Sequence, residues 1–250
     1  VPAPGLLPWT LGLKVNSNPV STPGVQSPVV TSKEEVMNET MYRAVVARGN
    51  YLSQDRPDVQ YTTKELSRTM SKPDMESYVR AKRFGRYLVG APRIVMKYGV
   101  QDVPDVLTIW VDTDFAGCQA TRKSTSGGVA MLGNHCLKTW SSTQEVVALS
   151  SGEAELYGIV KGTTYALGLR GLLEDLGVHV KLGVNTDASA ALGMLKRRGV
   201  GKVRHIEVKE LWIQDEVHSG EVEVRKVKSS ENLADVFTKY VNQEKTQEAM

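Results

Sequence analysis

The sequence predicts a mixed α/β fold, and three observations predict it. Three strand-like runs, Val106 to Val111, Gly128 to Leu132 and Cys136 to Ser141, follow one another with turn residues between them, so they read as antiparallel neighbours joined by tight turns. A long helical pattern from about Ser151 to Leu176 comes next. Beyond it, strand and helix patterns alternate, as they do where helices cover a sheet.

The later elements follow in order. Lys181 to Thr186 is a fourth strand, Ala188 to Lys196 a helix, and Val203 to His218 another. Glu221 to Val227 alternates as a fifth strand, and Ser230 to Val241 reads as a final helix. Upstream, residues 1–31 carry most of the prolines with no period, and read as an extended or disordered tail. From Ser32 to Gly90 the pattern is helical. Ser32 caps a helix with Glu35 three residues on, and Arg56-Pro57-Asp58 ends it and starts another. Ser71-Lys72-Pro73-Asp74 then breaks to a third helix carrying Met75, Tyr78, Val79 and Leu88, which Gly90-Ala91-Pro92 closes. A boundary between Gly99 and Asp105 gives three parts: the tail 1–31, a helical segment 32–99 and an α/β domain 104–250.

Composition excludes several classes. At 250 residues, 41% hydrophobic and 24% charged, the chain has the make-up of a globular protein with an ample core. No apolar run approaches the length of a membrane span, and the start lacks a signal peptide. The chain begins at Val1 rather than Met, as a fragment would. Cys118 and Cys136 have no metal-type spacing and fit free thiols in a reducing compartment. A net charge of +3 is too slight to argue for nucleic-acid binding except through its distribution.

Four acids stand in distinct local contexts: Asp112, Glu155, Asp187 and Asp235. A strand, a helix and two element junctions supply one carboxylate each, and converging carboxylates are what a pair of hard divalent cations needs. Asp112 and Asp114 leave the same face of the first strand; the alternative is a strand that ends at Asp112 with a turn at Asp114. Glu153 and Glu155 lie about 200° apart around a helix, so both cannot aim at one site. Ser150 and Glu153 form a capping box, whereas Glu155 shares the sheet-facing stripe with Ile159, Gly162, Ala166, Leu169 and Leu173. A carboxylate on that stripe is costly unless it is paired or binds a metal. Asp187 suits a helix N-cap as well as a ligand position at the end of a strand. Asp235 lies off the stripe Leu233, Val236, Phe237, Tyr240 and Val241, so a solvated helix face is its alternative.

Positive charge is densest in Lys196-Arg197-Arg198-Gly199-Val200-Gly201-Lys202-Val203-Arg204-His205. Its two glycines suit a loop that follows a phosphate backbone; a solvated helix end is the alternative. His205 either touches nucleic acid or caps the next helix. Arg122 and Lys123 make a smaller patch after the first strand.

Six stretches in one order resemble the ribonuclease H domain of copia-type retrotransposon polyproteins. They are Val111-Asp112-Thr113-Asp114-Phe115-Ala116-Gly117, Thr121-Arg122-Lys123-Ser124-Thr125-Ser126-Gly127-Gly128, Trp140-Ser141-Ser142, Glu153-Ala154-Glu155-Leu156-Tyr157, Val203-Arg204-His205-Ile206-Glu207 and Leu233-Ala234-Asp235-Val236-Phe237-Thr238-Lys239. Tyr42-Arg43-Ala44, Tyr51 to Asp58 and Lys82 to Leu88 resemble the segment that joins reverse transcriptase to ribonuclease H in those polyproteins. The resemblance implies a ribonuclease H-like, mixed five-stranded sheet flanked by helices. It implies an endonuclease that cuts the RNA strand of RNA/DNA hybrids, with Asp112, Glu155, Asp187 and Asp235 holding two Mg²⁺ ions, or Mn²⁺ in their place. Arg122, Lys123, Lys196, Arg197, Arg198, Lys202, Arg204 and His205 would contact the hybrid. The implied partners are the hybrid and the upstream reverse transcriptase domains, with no membrane. The implied location is the cytoplasm, within virus-like particles, with the nucleus as an alternative.

Two departures qualify the resemblance. The loop before Asp235 is Lys228-Ser229-Ser230, without the histidine that many cellular and retroviral ribonucleases H carry there, as is usual for the copia type. No Tyr-x-Asp-Asp polymerase signature occurs. Two rival readings remain. One is an inactive transposon-derived module that binds nucleic acid or serves in packing. The other is a transposase or integrase on the same fold, whose acids come in the order Asp, Asp, Glu rather than with Glu second.

Overall fold

The structure is a computed structural model that describes residues 18–28, 30, 38–199, 201, 211–242 and 245. The predicted Ser32–Glu35 capping box and most of the predicted tail lie outside these residues. Two compact units are present: residues up to Met96 together with those from Lys239 form one, and Lys97–Thr238 the other. The division therefore falls a few residues before the expected boundary, and the α/β unit stops at Thr238 instead of running to the end of the chain. The physical reason lies at Tyr240. Its ring meets Tyr61 edge-on at 4.8 Å and accepts the Arg80 guanidinium on its hydroxyl, and burial pushes its phenol pKa up to about 12.

The first unit is built on α1 (Glu39–Leu52), α2 (Pro57–Ser67) and α3 (Met75–Gly90). Asn38 caps α1 through a side-chain bond from the Thr40 N–H, and Pro57 sits at the first turn of α2, where its missing N–H costs nothing. Tyr42, Val45, Val46, Val59, Leu66, Ala81, Phe84 and Leu88 form its core. Arg56 grips Asp58 through two nitrogens, Tyr87 donates to the same carboxylate, and all three are buried. The described part of the predicted tail is not loose. Arg80, Arg83 and Arg86, one face of α3, donate to Val25 and Gln26 carbonyls, the Thr22 hydroxyl and the Asn18 carbonyl. Proline content alone could not reveal these anchors.

The second unit is a five-stranded sheet in the order β3-β2-β1-β4-β5. The strands are β1 (Val106–Asp114), β2 (Thr125–Leu132), β3 (His135–Thr143), β4 (Lys181–Thr186) and β5 (Val222–Lys226). β1, β2 and β3 pair antiparallel, whereas β4 runs parallel to β1 and β5 parallel to β4. This is the ribonuclease H-like arrangement that the sequence led us to expect. The β2–β3 connection is tight, with Gly133 at φ +59, but β1 and β2 are joined by the long loop 115–124 rather than by a tight turn. β1 also continues through Asp112 to Asp114, which pairs with Thr125, so the strand does not end at Asp112.

Helix α4 (Ser151–Asp175) covers one face, and α5 (Ser189–Leu195) and α6 (Trp212–Ser219) follow β4. Leu107, Ile109 and Val111 of β1 and Leu156, Ile159 and Ala166 of α4 make the core between them. α4 lies close because it carries glycine where it crosses β1. A Cβ at Gly158 would stand 2.6 Å from Thr113 Oγ1, and one at Gly162 would stand 2.6 Å from Val111 Cγ1. α6 begins at Trp212; residues 202–210 of the longer helix expected there lie outside the described residues. The expected final helix is instead two short 3₁₀ turns, Ser229–Glu231 and Leu233–Phe237. Asn232 stops a continuous helix by taking an extended backbone and capping the Ala234 N–H with its side chain. Among the described residues no helix is long and apolar enough to cross a membrane.

Candidate metal centre and active site

Two parallel neighbours carry two of the acids to one edge of the sheet. The register pairs Trp110 with Asn185. Two residues further along each strand, Asp112 stands beside Asp187. Strands that run parallel present their carboxyl ends together, and that is where ligands bind in such sheets. The close approach of α4 at Gly158 brings in the third acid, since Glu155 lies one turn earlier on the same helix. One carboxylate oxygen from each of Asp112, Glu155 and Asp187 lies within 4.8 Å of the others. Asp112 and Glu155 are buried and Asp187 is partly exposed, so the group opens to solvent on one side.

The N-cap alternative for Asp187 fails. The cap of α5 is Ala188, no side chain bonds there, and it is the Thr186 hydroxyl that accepts from the Ala188 N–H. Glu153 takes the structural part, with a difference. The Ser150 hydroxyl accepts from the Glu153 N–H at 3.2 Å, but the Glu153 carboxylate reaches back one residue beyond the cap, to the Leu149 N–H at 2.8 Å. It also accepts from the Tyr157 hydroxyl and is buried, which fixes the start of the helix that bears Glu155.

Asp235 is not part of the three-carboxylate group, nor does it lie on a solvated face: it is only 4% exposed. It stands in the 3₁₀ turn Leu233–Phe237. Three bonds seat that turn. Asn232 Nδ2 donates to the Val111 carbonyl at 2.9 Å, Ser141 donates to the Phe237 carbonyl at 2.6 Å, and the Thr238 hydroxyl donates to Asp112 Oδ2. Asp114 lies apart from the group as well, its carboxylate filling the space over Gly117. On α4, Lys161 donates to the Ser142 hydroxyl at 2.6 Å; burial draws its ammonium pKa down, against the pull of Glu145.

Of the predicted basic residues, Arg122 and Lys123 sit in the loop after β1, where Arg122 takes φ +58 and its N–H bonds the Cys118 carbonyl. Lys196 and Arg198 are exposed beyond α5, and Gly199 and Gly201 adopt the left-handed backbone that makes the loop. Arg197 lies across Gly201. Lys202, Arg204 and His205 lie outside the described residues. Sequence reasoning missed Gln214, a buried α6 side chain that bonds the Gly199 N–H, the Gly199 carbonyl and the Met194 carbonyl and so pins this loop. No local signal marks it. It missed Thr238 too, although that residue lies inside the Leu233 to Lys239 motif.

Three oxygen donors without sulfur or imidazole suit a hard divalent cation of the Mg²⁺ or Mn²⁺ kind. The sheet that carries this carboxylate group at its edge has the ribonuclease H-like strand order. No protein-family model matches the chain. It is 30% identical over 234 residues to the retrovirus-related Pol polyprotein from transposon RE1 of Arabidopsis thaliana, an alignment covering 90% of this chain and 16% of that polyprotein. It is 29% identical over 241 residues to the corresponding polyprotein from transposon TNT 1-94 of Nicotiana tabacum, covering 92% and 18%. Among solved structures, the N-terminal RNase H domain of Rv2228c from Mycobacterium tuberculosis, fused to maltose-binding protein, is 18% identical with a TM-score of 0.36, covering 59% of this chain and 96% of that one. Over nine-tenths of its length the chain is thus similar to retrotransposon Pol polyproteins, and it spans about a sixth of the RE1 polyprotein.

Proposed function

We propose that this chain is the ribonuclease H portion of a retrotransposon polyprotein, a metal-dependent endonuclease that cuts the RNA strand of RNA/DNA hybrids. The observation that carries the reading is the meeting of Asp112, Glu155 and Asp187 within 4.8 Å at the open edge of the sheet. Homology to Pol polyproteins supports the choice of substrate. The order Asp, Glu, Asp along the chain argues against a transposase or integrase.

In this reading Asp112, Glu155 and Asp187 would hold divalent cations, two in number, and Asp235, which stands outside the three-carboxylate group, would be the fourth acid from its 3₁₀ turn. The chemistry supplied by bound cations is a water acidified towards hydroxide and charge neutralisation at the scissile phosphate. The protein's own part is positional. Asp112 and Glu155 are buried away from bulk water on the sheet side, and the partly exposed Asp187 leaves access for a phosphodiester. No side-chain nucleophile is required, and cleavage leaves 3′-hydroxyl and 5′-phosphate ends. Arg122, Lys123, Lys196, Arg197 and Arg198, with Lys202, Arg204 and His205, would grip hybrid phosphates. Incubation of the chain with an end-labelled RNA/DNA hybrid in Mg²⁺ and in EDTA tests the reading. Cut RNA only in Mg²⁺ is expected, and no cutting of the hybrid under any divalent cation would refute it.

A further inference from the structure

Thr238 is fully buried, and its hydroxyl donates to Asp112 Oδ2 with the Asp235 carbonyl as a second acceptor at 3.1 Å. Its own N–H donates to that carbonyl at 3.2 Å. One side chain therefore joins a carboxylate of the three-acid group to the turn that carries the fourth acid. The turn is able to lie there because Gly127 stands opposite Asp112 in the β1–β2 ladder. A Cβ at Gly127 would come 2.6 Å from Phe237 Cβ and 2.7 Å from Thr238 Cγ2.

We propose that Thr238 is a positioning residue for metal binding. Its hydroxyl fixes the orientation of the Asp112 carboxylate, which would share a cation with Glu155 and Asp187, and it sets the Asp235 turn against that carboxylate. The terminal torsion of an aspartate has a broad, shallow preference, so an unsupported carboxylate turns readily. A hydroxyl donor to a charged acceptor is among the stronger hydrogen bonds, and it narrows that torsion. Partners of this kind, bonded to metal-ligating side chains, are typically worth about 10- to 100-fold in metal affinity. The inference rests on the metal-centre reading above, and the experiment separates the two.

The test uses the whole chain with T238V, which removes the hydroxyl at nearly constant shape, and T238S, which keeps it. Mn²⁺ binding is followed by electron paramagnetic resonance without nucleic acid, and thermal midpoints in EDTA confirm folding. T238V is expected to need about 10- to 100-fold more Mn²⁺ for half occupancy, with T238S close to the parent chain. If T238V does not fold, T238A, which leaves space instead of a misplaced methyl, makes the same comparison. Equal Mn²⁺ affinity in the parent and the hydroxyl-free variant overturns the role of Thr238 alone, as does an equal loss in T238S. A parent chain that binds no Mn²⁺, or that binds it undiminished in D112N, overturns the metal centre itself.

Discussion

Asp112 and Asp187 lie side by side at the ends of two parallel strands, and one carboxylate oxygen of each stands within 4.8 Å of the other and of a Glu155 oxygen. Like charges held this close repel, so without a cation the group opposes folding. Adding Mg²⁺ is expected to raise the thermal midpoint, and a concentration near 100 times the dissociation constant contributes about 2.7 kcal/mol. D187N is expected to melt slightly higher than the parent in EDTA and to lose most of the Mg²⁺ shift. Differential scanning calorimetry of both proteins, with and without Mg²⁺, checks this. A D187N protein with the parent's full shift would place the cation elsewhere.

Glu153 and Glu155, two residues apart on α4, are expected to fail differently. E155Q removes a carboxylate of the cluster and should lower kcat for hybrid cleavage at least about 100-fold, with little loss of stability, since preorganised charge in such a site is worth several kcal/mol. E153Q weakens the bonds to the Leu149 N–H and Tyr157 hydroxyl and should cost about 1 kcal/mol, chiefly in the thermal midpoint. Equal activity losses would end this division of labour.

Acid stability of the helical unit should depend on Asp74. The Ser77 hydroxyl and then the Ser77 N–H hold the Asp74 carboxyl below its ordinary pKa, against a smaller opposing effect of burial. A folded pKa below the unfolded one means that the stabilisation is complete above the ordinary carboxylate range near 4 and is lost as pH falls through the lowered value. D74N keeps a capping side chain without the charge. Its thermal midpoint should therefore fall less than the parent's between about pH 5 and pH 2. Parallel curves for the two proteins would contradict the assignment.

Much of the sheet was legible because strands write a short-range period. Lys181–Thr186 has the same bounds in the structure as its sequence pattern predicts, and α4 ends one residue earlier than expected. Glu155 was legible for a related reason: an acid on an apolar helix stripe demands a partner. The last element was not. Leu233 to Val241 carries a helical stripe, but Asn232 caps the Ala234 N–H and Ser141 accommodates the Phe237 carbonyl, and both bonds depend on residues placed by tertiary structure. Asp235 illustrates the same limit. Its burial comes from the seating of the 3₁₀ turn by Val111, Ser141 and Asp112, which are far away in sequence. Asp187 was ambiguous because a strand end and a helix start share its position, and only the bond from the Ala188 N–H to Thr186 decides between them.

The basic loop after α5 makes the last prediction. Gly199 and Gly201 turn the backbone, buried Gln214 pins it, and Arg198 is left exposed. A pinned loop bearing cations loses little freedom when it meets a phosphate backbone. Neutralising Arg197, Arg198 and Lys202 together should therefore raise the KM for hybrid more than it lowers kcat, because binding to phosphates away from the reacting atoms acts equally on ground and transition states. For every phosphate that the triple variant no longer reaches, the salt dependence of binding should become shallower by roughly one unit of slope. Arg197 needs a control. Its guanidinium lies across Gly201, so R197A alone should be measured for thermal stability, to separate loosening of the loop from loss of charge. Filter binding of hybrid to catalytically silent E155Q over a range of KCl, with and without the three changes, gives the slopes directly. An unchanged slope would mean that the loop is a solvated surface and that the hybrid is held by other residues.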